Sequence, residues 1–147
     1  MCGIAGVMYR GSDKDFGTGE ALIRMLDGCQ HRGPDSTGFA LYSPEASGRL
    51  KLRFFIDPTN ESDDATAIEA IRGRLIDLGA DIEEEARAGD NYRVTIRYDG
   101  DVQKLSYEME HAAKVISIGT SLEIVKDVGT AHDVDDRYHV NKFHGTH

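Results

Sequence analysis

The chain has 147 residues, 39% of them hydrophobic, and a formal net charge of −9. This length and composition suit a compact domain with a real core. The acidic balance argues against a nucleic-acid partner, and no apolar run approaches the ~20 residues of a membrane span. With two cysteines and no signal-peptide pattern, we predict a cytoplasmic protein without a disulfide framework or membrane contact.

The first part of the chain predicts a strand, a helix and a second strand. Residues Gly3–Tyr9 are small and apolar, which indicates a buried strand opening the protein. Apolar side chains at three- and four-residue steps predict an amphipathic helix over Gly19–Cys29, with the Cys29 thiol in the core. A polar loop over Gln30–Asp35 follows, and Gly38–Tyr42 form the second predicted strand.

From about Arg49 the pattern changes to strand, helix, strand, strand, helix, strand. Strict alternation of apolar side chains over Tyr92–Tyr98 is the clearest strand signal in the chain. This order is the ferredoxin-like split βαβ pattern, and it predicts a small insert over residues 49–118. The other predicted elements of the insert are a strand from Arg49, a helix capped by Ser62 or Asp63 and stopped by Gly79, a strand over Ile82–Arg87, a helix over Val102–Ala112 and a strand over Val115–Ile118.

The closing part of the chain predicts a return to the first fold and no metal site. Thr120–Val128 resume the parent fold, and Asp133–Val140 indicate a short helix. The acidic spacing fits no Ca²⁺ loop, and the histidine spacing gives no zinc pattern. We interpret the acidic runs as solvated surface. The residues considered as metal ligands are Asp133, Asp135, Asp136, His132, His139, His144 and His147.

The N-terminal sequence Met1-Cys2-Gly3 offers the strongest candidate chemistry. Because the side chain of Cys2 is small, we expect aminopeptidases to remove Met1. Cys2 would then carry a thiol with a pKa of about 8.5 beside a free α-amine with a pKa of about 8. One residue would thus supply both a nucleophile and a proton acceptor near working pH.

A second candidate feature is the loop that contains Arg32, Gly33 and Asp35. The planar guanidinium of Arg32 could hold polar backbone near the nucleophile, because it makes several directed hydrogen bonds. Asp35 could orient Arg32, and Gly33 would let the turn tighten. An equally good interpretation from the residues alone is a structural turn with a surface ion pair.

Taken together, Met1–Gly6 and Gln30–Gly38 resemble the motifs of the class II glutamine amidotransferases, which are N-terminal nucleophile hydrolases. Gly119–Gly129 and Gly145–His147 look like the glutamate-synthase-type branch of that family. The resemblance implies an α+β fold, in which residues 1–48 and 119–147 form part of an αββα sandwich. Residues 49–118 would be its ferredoxin-like βαββαβ insert.

The resemblance also implies a reaction. Cys2 would attack the side-chain amide of glutamine, and its own α-amine would move the proton through a water. A thioester would form, and water would release glutamate. Arg32, Gly33 and Asp35 would bind substrate or support the site, and His31 would support the loop. We expect no metal or cofactor in this chain; a synthase partner would receive the ammonia and hold any flavin or iron–sulfur group.

The family pattern continues beyond Gly145–His147 with segments that residues 1–147 do not match. They are a Gly-His-Thr-Arg segment whose Arg grips the substrate carboxylate, an Asn-Gly pair of oxyanion donors, and an Asp for the substrate amine. We therefore expect the first part of a glutaminase: a truncated product, a fragment or one half of a split enzyme. The alternatives are a non-catalytic docking or regulatory subunit, and a glutaminase half serving another amide or amine synthase.

Overall fold

The computed structural model describes residues 3–10, 17–32, 35–45, 47–57 and 63–145. Helices and antiparallel strands follow one another along the chain, which confirms the predicted α+β class. Among the described residues, no helix has the length and apolar character needed to cross a membrane. In chain order the elements are α1 (Thr18–Asp27), β1 (Ser36–Tyr42), β2 (Arg49–Phe55), α2 (Asp64–Asp77), β3 (Asp81–Ala88), β4 (Asn91–Arg97), α3 (Val102–Ala112), β5 (Lys114–Gly119), β6 (Leu122–Val128) and α4 (Ala131–Tyr138).

The chain divides into two compact units. Unit 1 consists of Met1–Pro44 and Ile124–His147, and unit 2 consists of Glu45–Glu123. Unit 1 therefore contains both ends of the chain, and unit 2 is inserted between its two parts.

Unit 1 is built on a two-stranded sheet formed by β1 and β6. The Asp35 carbonyl accepts a hydrogen bond from Gly129 N (3.2 Å) at one end, and Gly38 lies against Val125 farther along. The two strands therefore run in opposite directions. Apolar side chains from both strands and both helices form the core. Its buried members are Leu22, Ile23, Phe39, Leu41, Val125, Ala131, Val134 and Val140.

Helix α1 is fixed to the end of the described chain. The Thr18 hydroxyl donates to the Gly145 carbonyl (2.6 Å), and Gly19 N donates to the Phe143 carbonyl (3.1 Å). Thr18 is fully buried, so its hydroxyl needs such a partner. These bonds hold the last described residues of unit 1 beside the first turn of α1.

Unit 2 is a four-stranded antiparallel sheet in the order β3-β4-β2-β5. Alternate residues of its central strands point to one apolar face, where Leu52 opposes Val94 and Phe54 opposes Tyr92. Helices α2 and α3 contribute Ile71, Leu75, Leu105 and Met109 to the core of this unit. The remaining buried core residues are Leu50, Ile56, Ala80 and Ile96.

Most of the predicted elements are confirmed. Helix α3 has the predicted bounds, and β4 covers the alternating run that gave the clearest strand signal. Gly79, predicted to stop the preceding helix, follows α2 with a φ of 84°, a conformation that suits glycine. The last helix begins at Ala131, before the predicted Asp133, because Thr130 caps it.

Two predictions in unit 1 are wrong. The stretch Gly3–Tyr9 belongs to no strand, and Ile4 and Met8 are 91% and 65% exposed instead of buried. Only one side of this segment contacts the core, through Val7. Cys29 is half-buried and lies in the turn after α1, because that helix ends at Asp27.

Candidate functional site

Two of the predicted site residues, Arg32 and Asp35, lie among the described residues before β1. Cys2 and Gly33 are outside the described residues. Arg32 ends a short 3-10 helix over Gln30–Arg32, and Asp35 is exposed directly before β1. The roles of Cys2, Arg32, Gly33 and Asp35 therefore stay predictions.

A small cavity brings the two candidate motifs together. Gly3, the residue after Cys2, lines a space of about 80 Å³ together with Cys29 and Gln30 from one end of the loop. Ser36, Thr37 and Gly38 from the other end line the same space. Residues that lie far apart in sequence thus meet at one place in unit 1, next to the end of α1.

Both ends of this loop are anchored to the turn between β6 and α4. At the start of the loop, Ala131 N donates to the Gln30 side-chain oxygen (3.5 Å). At its end, the Asp35 carbonyl accepts from Gly129 N (3.2 Å), and the Thr37 hydroxyl donates to the Gly129 carbonyl (2.8 Å). The turn therefore sets the position of the loop that carries Arg32.

Gly129 and the cap of α4 explain why this turn has a defined shape. Gly129 has a φ of 118°, which L side chains rarely adopt, and a Cβ there would lie 2.9 Å from the Asp133 carboxylate. Thr130 and Asp133 form a reciprocal capping box, with Thr130 N donating to Asp133 (2.8 Å) and Asp133 N donating to Thr130 (3.2 Å). The hydrogen bonds from Thr130 lower the pKa of Asp133 below its ordinary value.

An ion pair connects α4 with the end of α1. His132 Nε2 lies 2.9 Å from a carboxylate oxygen of Asp27, and both side chains are largely exposed. The hydrogen bond and charge of Asp27 raise the pKa of His132 above its ordinary value. The pair joins α4 to the end of α1, next to the turn that contains Cys29.

A larger cavity of about 500 Å³ lies between the N-terminal segment and the rest of unit 1. Gly3–Met8 line one side of it, and apolar or small residues of α1 and β1 line the other. Those residues are Leu22, Leu26, Gly38, Phe39, Ala40 and Tyr42. The volume lies within the range of small-molecule sites, but its lining supplies few polar side chains.

Four of the acidic and histidine residues of the closing segment have structural roles. Across the described ranges, no three His, Cys, Asp or Glu side chains come together as metal ligands. Asp133 belongs to the capping box, and a carboxylate oxygen of Asp135 accepts from Asn141 N (2.7 Å). His132 pairs with Asp27, and His139 ends α4 in a left-handed conformation with a φ of 55°.

Sequence reasoning missed the residues that position the loop. Gln30, Thr37 and Gly129 act through contacts across roughly a hundred residues of chain, and no local pattern reports such contacts. The one available signal was Thr130 three residues before Asp133, a spacing typical of a capping box at a helix start. It would have located the turn but not its contacts with the loop.

Comparison with known proteins relates the chain to glutamine amidotransferase-like proteins, although no protein-family model matches it. It is 30% identical over 154 residues to "Putative glutamine amidotransferase" of Methanothermobacter thermautotrophicus, covering all of this chain and 50% of the relative. It is 29% identical over 159 residues to "Glutamine amidotransferase-like protein GlxB" of Rhizobium meliloti, covering all of this chain and 48% of that protein. The chain thus spans about half the length of the curated relatives it matches.

Proposed function

We propose that the chain is the N-terminal part of a class II glutamine amidotransferase that hydrolyses glutamine to glutamate and ammonia. The observation that carries this proposal is the small cavity where Gly3 meets both ends of the loop containing Arg32. That arrangement puts the residue next to Cys2 beside the second candidate motif. The names of the two relatives support the same activity class.

In the proposed reaction Cys2 is the nucleophile. Its thiol loses a proton to the free α-amine through a water, and the sulfur attacks the side-chain carbonyl carbon of glutamine. The tetrahedral intermediate collapses to a thioester as the α-ammonium returns a proton to the departing ammonia. Water then attacks the thioester, which releases glutamate and restores the thiol. The negative oxygen of each tetrahedral intermediate needs aimed donors, each worth ~2.7–4 kcal/mol.

The second motif, which contains Arg32, Gly33 and Asp35, would support this chemistry by its place near the nucleophile. Arg32 ends the short helix whose Gln30 contacts the β6–α4 turn, and Asp35 is joined to that turn through its carbonyl. We assign to Arg32, Gly33 and Asp35 the binding of substrate or the support of the loop around it. Cys29 takes no part in the chemistry.

For the architecture, we propose that unit 1 is part of an αββα sandwich and that unit 2 is a ferredoxin-like insert. The support for the insert is its order of elements with the interleaved strand order β3-β4-β2-β5. The support for the sandwich is a sheet with both of its helices packed into a shared core.

The ammonia needs an acceptor enzyme. We propose a synthase partner of the glutamate-synthase type. Because the proposed reaction of this chain is only the hydrolysis of glutamine, the partner would hold any redox cofactor. A second candidate function is a non-catalytic docking or regulatory subunit.

The test is alkylation by a diazoketone analogue of glutamine, followed by peptide mass spectrometry. We expect one adduct on Cys2, slowed by added glutamine, and an intact mass that lacks Met1. Cys2→Ala should give no adduct. Cys29→Ala is the matched control and should react like the parent protein. Retention of Met1, or an adduct that survives Cys2→Ala, would contradict catalysis by Cys2.

A further inference from the structure

The unit 2 sheet carries charged and polar side chains on the face away from its helices. Apolar side chains of β2 and β4 point to α2 and α3, so the alternate positions of both strands form the opposite face. On that face Lys51 lies opposite Thr95, and Arg53 lies opposite Arg93. Because side chains that oppose each other in an antiparallel pair begin only ~5 Å apart, these four residues share one small area at the centre of the sheet.

The carboxylate of Glu123 receives three of these side chains. Its Oε1 lies 3.2 Å from Lys51 Nζ and 3.4 Å from Arg93 Nη2. Its Oε2 lies 3.2 Å from Arg53 Nη2 and 2.9 Å from Arg93 Nε. A carboxylate offers about four lone-pair positions. The four contacts therefore use all the acceptor positions that Glu123 has.

Two further donors in this area have no acceptor in the part of the chain that the structure describes. Thr95 is only 6% exposed, and its hydroxyl oxygen has no hydrogen-bond partner there. An unpaired buried hydroxyl is unfavourable. Arg93 donates through Nε and Nη2, which leaves its Nη1 without a described acceptor. Because Arg93 and Thr95 are two residues apart on one strand face, their Cα atoms are only ~6–7 Å apart, and one anion could reach both.

We propose that Lys51, Arg53, Arg93 and Thr95 form a binding site for a phosphate dianion, which takes the place of the Glu123 carboxylate. A phosphate group carries a charge of about −1.5 to −2 at neutral pH and has at least three acceptor oxygens. It therefore has acceptors for the Thr95 hydroxyl and for Arg93 Nη1 as well as for the three cations. The planar guanidinium group also matches the geometry of phosphate.

The place of Glu123 in the chain gives such binding a consequence. Glu123 is the last residue of unit 2, and Ile124, which follows it in β6, belongs to unit 1. A phosphate that replaced the carboxylate would release Glu123 from its cations where the chain passes from one unit to the other. All four residues of the site belong to unit 2, so this binding would be additional to the proposed chemistry of unit 1.

The experiment titrates the whole chain with inorganic phosphate near neutral pH, while sodium chloride keeps the ionic strength constant. Calorimetry measures the affinity, and amide shifts in NMR spectra locate the site. We expect saturable binding with the largest shifts at Arg53, Arg93, Thr95 and Glu123, and none of these shifts with chloride alone. Methyl phosphate is titrated separately, because tighter binding of this monoester would identify a phosphate ester rather than free phosphate as the ligand.

Two variants test the donors on β4. Thr95→Val keeps the shape of the side chain and removes the hydroxyl, so phosphate should bind about tenfold more weakly. Its Tm without phosphate should not fall, because the hydroxyl has no partner among the described residues. Arg93→Gln should weaken binding by about tenfold or more. Arg97→Gln is the matched control, since Arg97 lies on the same strand face but pairs with Glu83 (2.7 Å), and its affinity should equal that of the parent.

A third variant tests the competition with Glu123. Glu123→Gln removes the competing charge, so it should bind phosphate several-fold more tightly than the parent. The proposal is overturned if the parent shows no saturable binding, if Thr95→Val and Arg93→Gln both keep the parent's affinity, or if Glu123→Gln binds no more tightly. Tighter binding of a hexaglutamate peptide than of phosphate would also overturn it, because the face would then be a docking surface for an acidic segment.

Discussion

Gly19 lies so close to Val140 that the Val140 carbonyl oxygen occupies the space where a Cβ atom on Gly19 would stand. The hydrogen bond from Gly19 N to the Phe143 carbonyl (3.1 Å) holds the two segments together at this point. We expect Gly19→Ala to lower the free energy of unfolding by about 1–3 kcal/mol, because backbone must move to admit the methyl group. Urea denaturation followed by circular dichroism measures this change.

A second glycine provides the control for this prediction. Gly73 lies inside helix α2, and a Cβ there would meet no atom within 4 Å. Gly73→Ala should therefore raise the free energy of unfolding by ~0.5–1 kcal/mol through helix propensity. If both alanine variants changed stability in the same direction, the close approach of Gly19 to Val140 would not be the cause.

Glu123 is the shared partner of three cations in unit 2. Its carboxylate lies 2.9 Å from Arg93 and 3.2 Å from both Lys51 and Arg53, and its side chain is only 15% exposed. Glu123→Gln would leave these cations without their common anion, so we expect a loss of about 1–3 kcal/mol in denaturation experiments. Glu20→Gln, which removes an exposed pair with Arg24, should cost less than ~0.5 kcal/mol.

The same carboxylate predicts a pH dependence. Burial alone would raise the pKa of Glu123, but the charges and hydrogen bonds of Arg93 and Lys51 outweigh it and lower the pKa. A lowered folded-state pKa stabilises the protein above the ordinary Glu value of 4.5. This stabilisation is lost as the pH falls from there through the lowered pKa. The parent protein should therefore lose more stability than Glu123→Gln over that pH range. Equal losses would contradict the lowered pKa of Glu123.

Thr130 caps α4 and shapes the turn that anchors the site loop. Thr130→Ala removes the hydroxyl that accepts from Asp133 N, and we expect a loss of ~1 kcal/mol in thermal denaturation. Thr130→Ser keeps the hydroxyl and should restore most of the stability. If serine behaved like alanine, the methyl group of Thr130 would matter more than the cap.

The His132–Asp27 pair should be visible by NMR titration. Asp27 raises the pKa of His132, so the imidazole should titrate above its ordinary value in the parent protein. Asp27→Asn should lower the pKa of His132 towards its ordinary value. Because the folded pKa is raised, the pair stabilises below the ordinary His pKa, and its contribution is lost as the pH rises through the folded value. An unchanged His132 titration in Asp27→Asn would show that the two side chains do not interact in solution.

The sequence predicted unit 2 well because its patterns are satisfied inside the unit. The alternation over Tyr92–Tyr98 matches β4, since its apolar face opposes β2 and packs on the helices. The same reasoning failed for Gly3–Tyr9. Apolar periodicity reports which side chains a segment can bury, and in this chain only one side of that segment finds a partner.

The site was predictable only in part. The sequence identifies the residues of the two motifs. The contacts of Gln30 and Thr37 with the β6–α4 turn, however, form only in the folded chain. Cys29 was misplaced because helical periodicity was extended past Asp27, where α1 ends, into the turn after Gly28. A glycine at a helix end is a stop signal that periodicity alone ignores.

The pairing of β1 with β6 determines which part of the chain can change in length without disrupting unit 1. Because these strands are antiparallel neighbours, the chain leaves unit 1 and re-enters it at the same end of one hairpin. Unit 2 is in effect the loop of that hairpin. Domain-sized loops of this kind can be shortened, exchanged or lost while the hairpin arms keep their pairing. Grafting Pro44 directly to Ile124 through a short turn would give a minimal protein that still carries both candidate motifs.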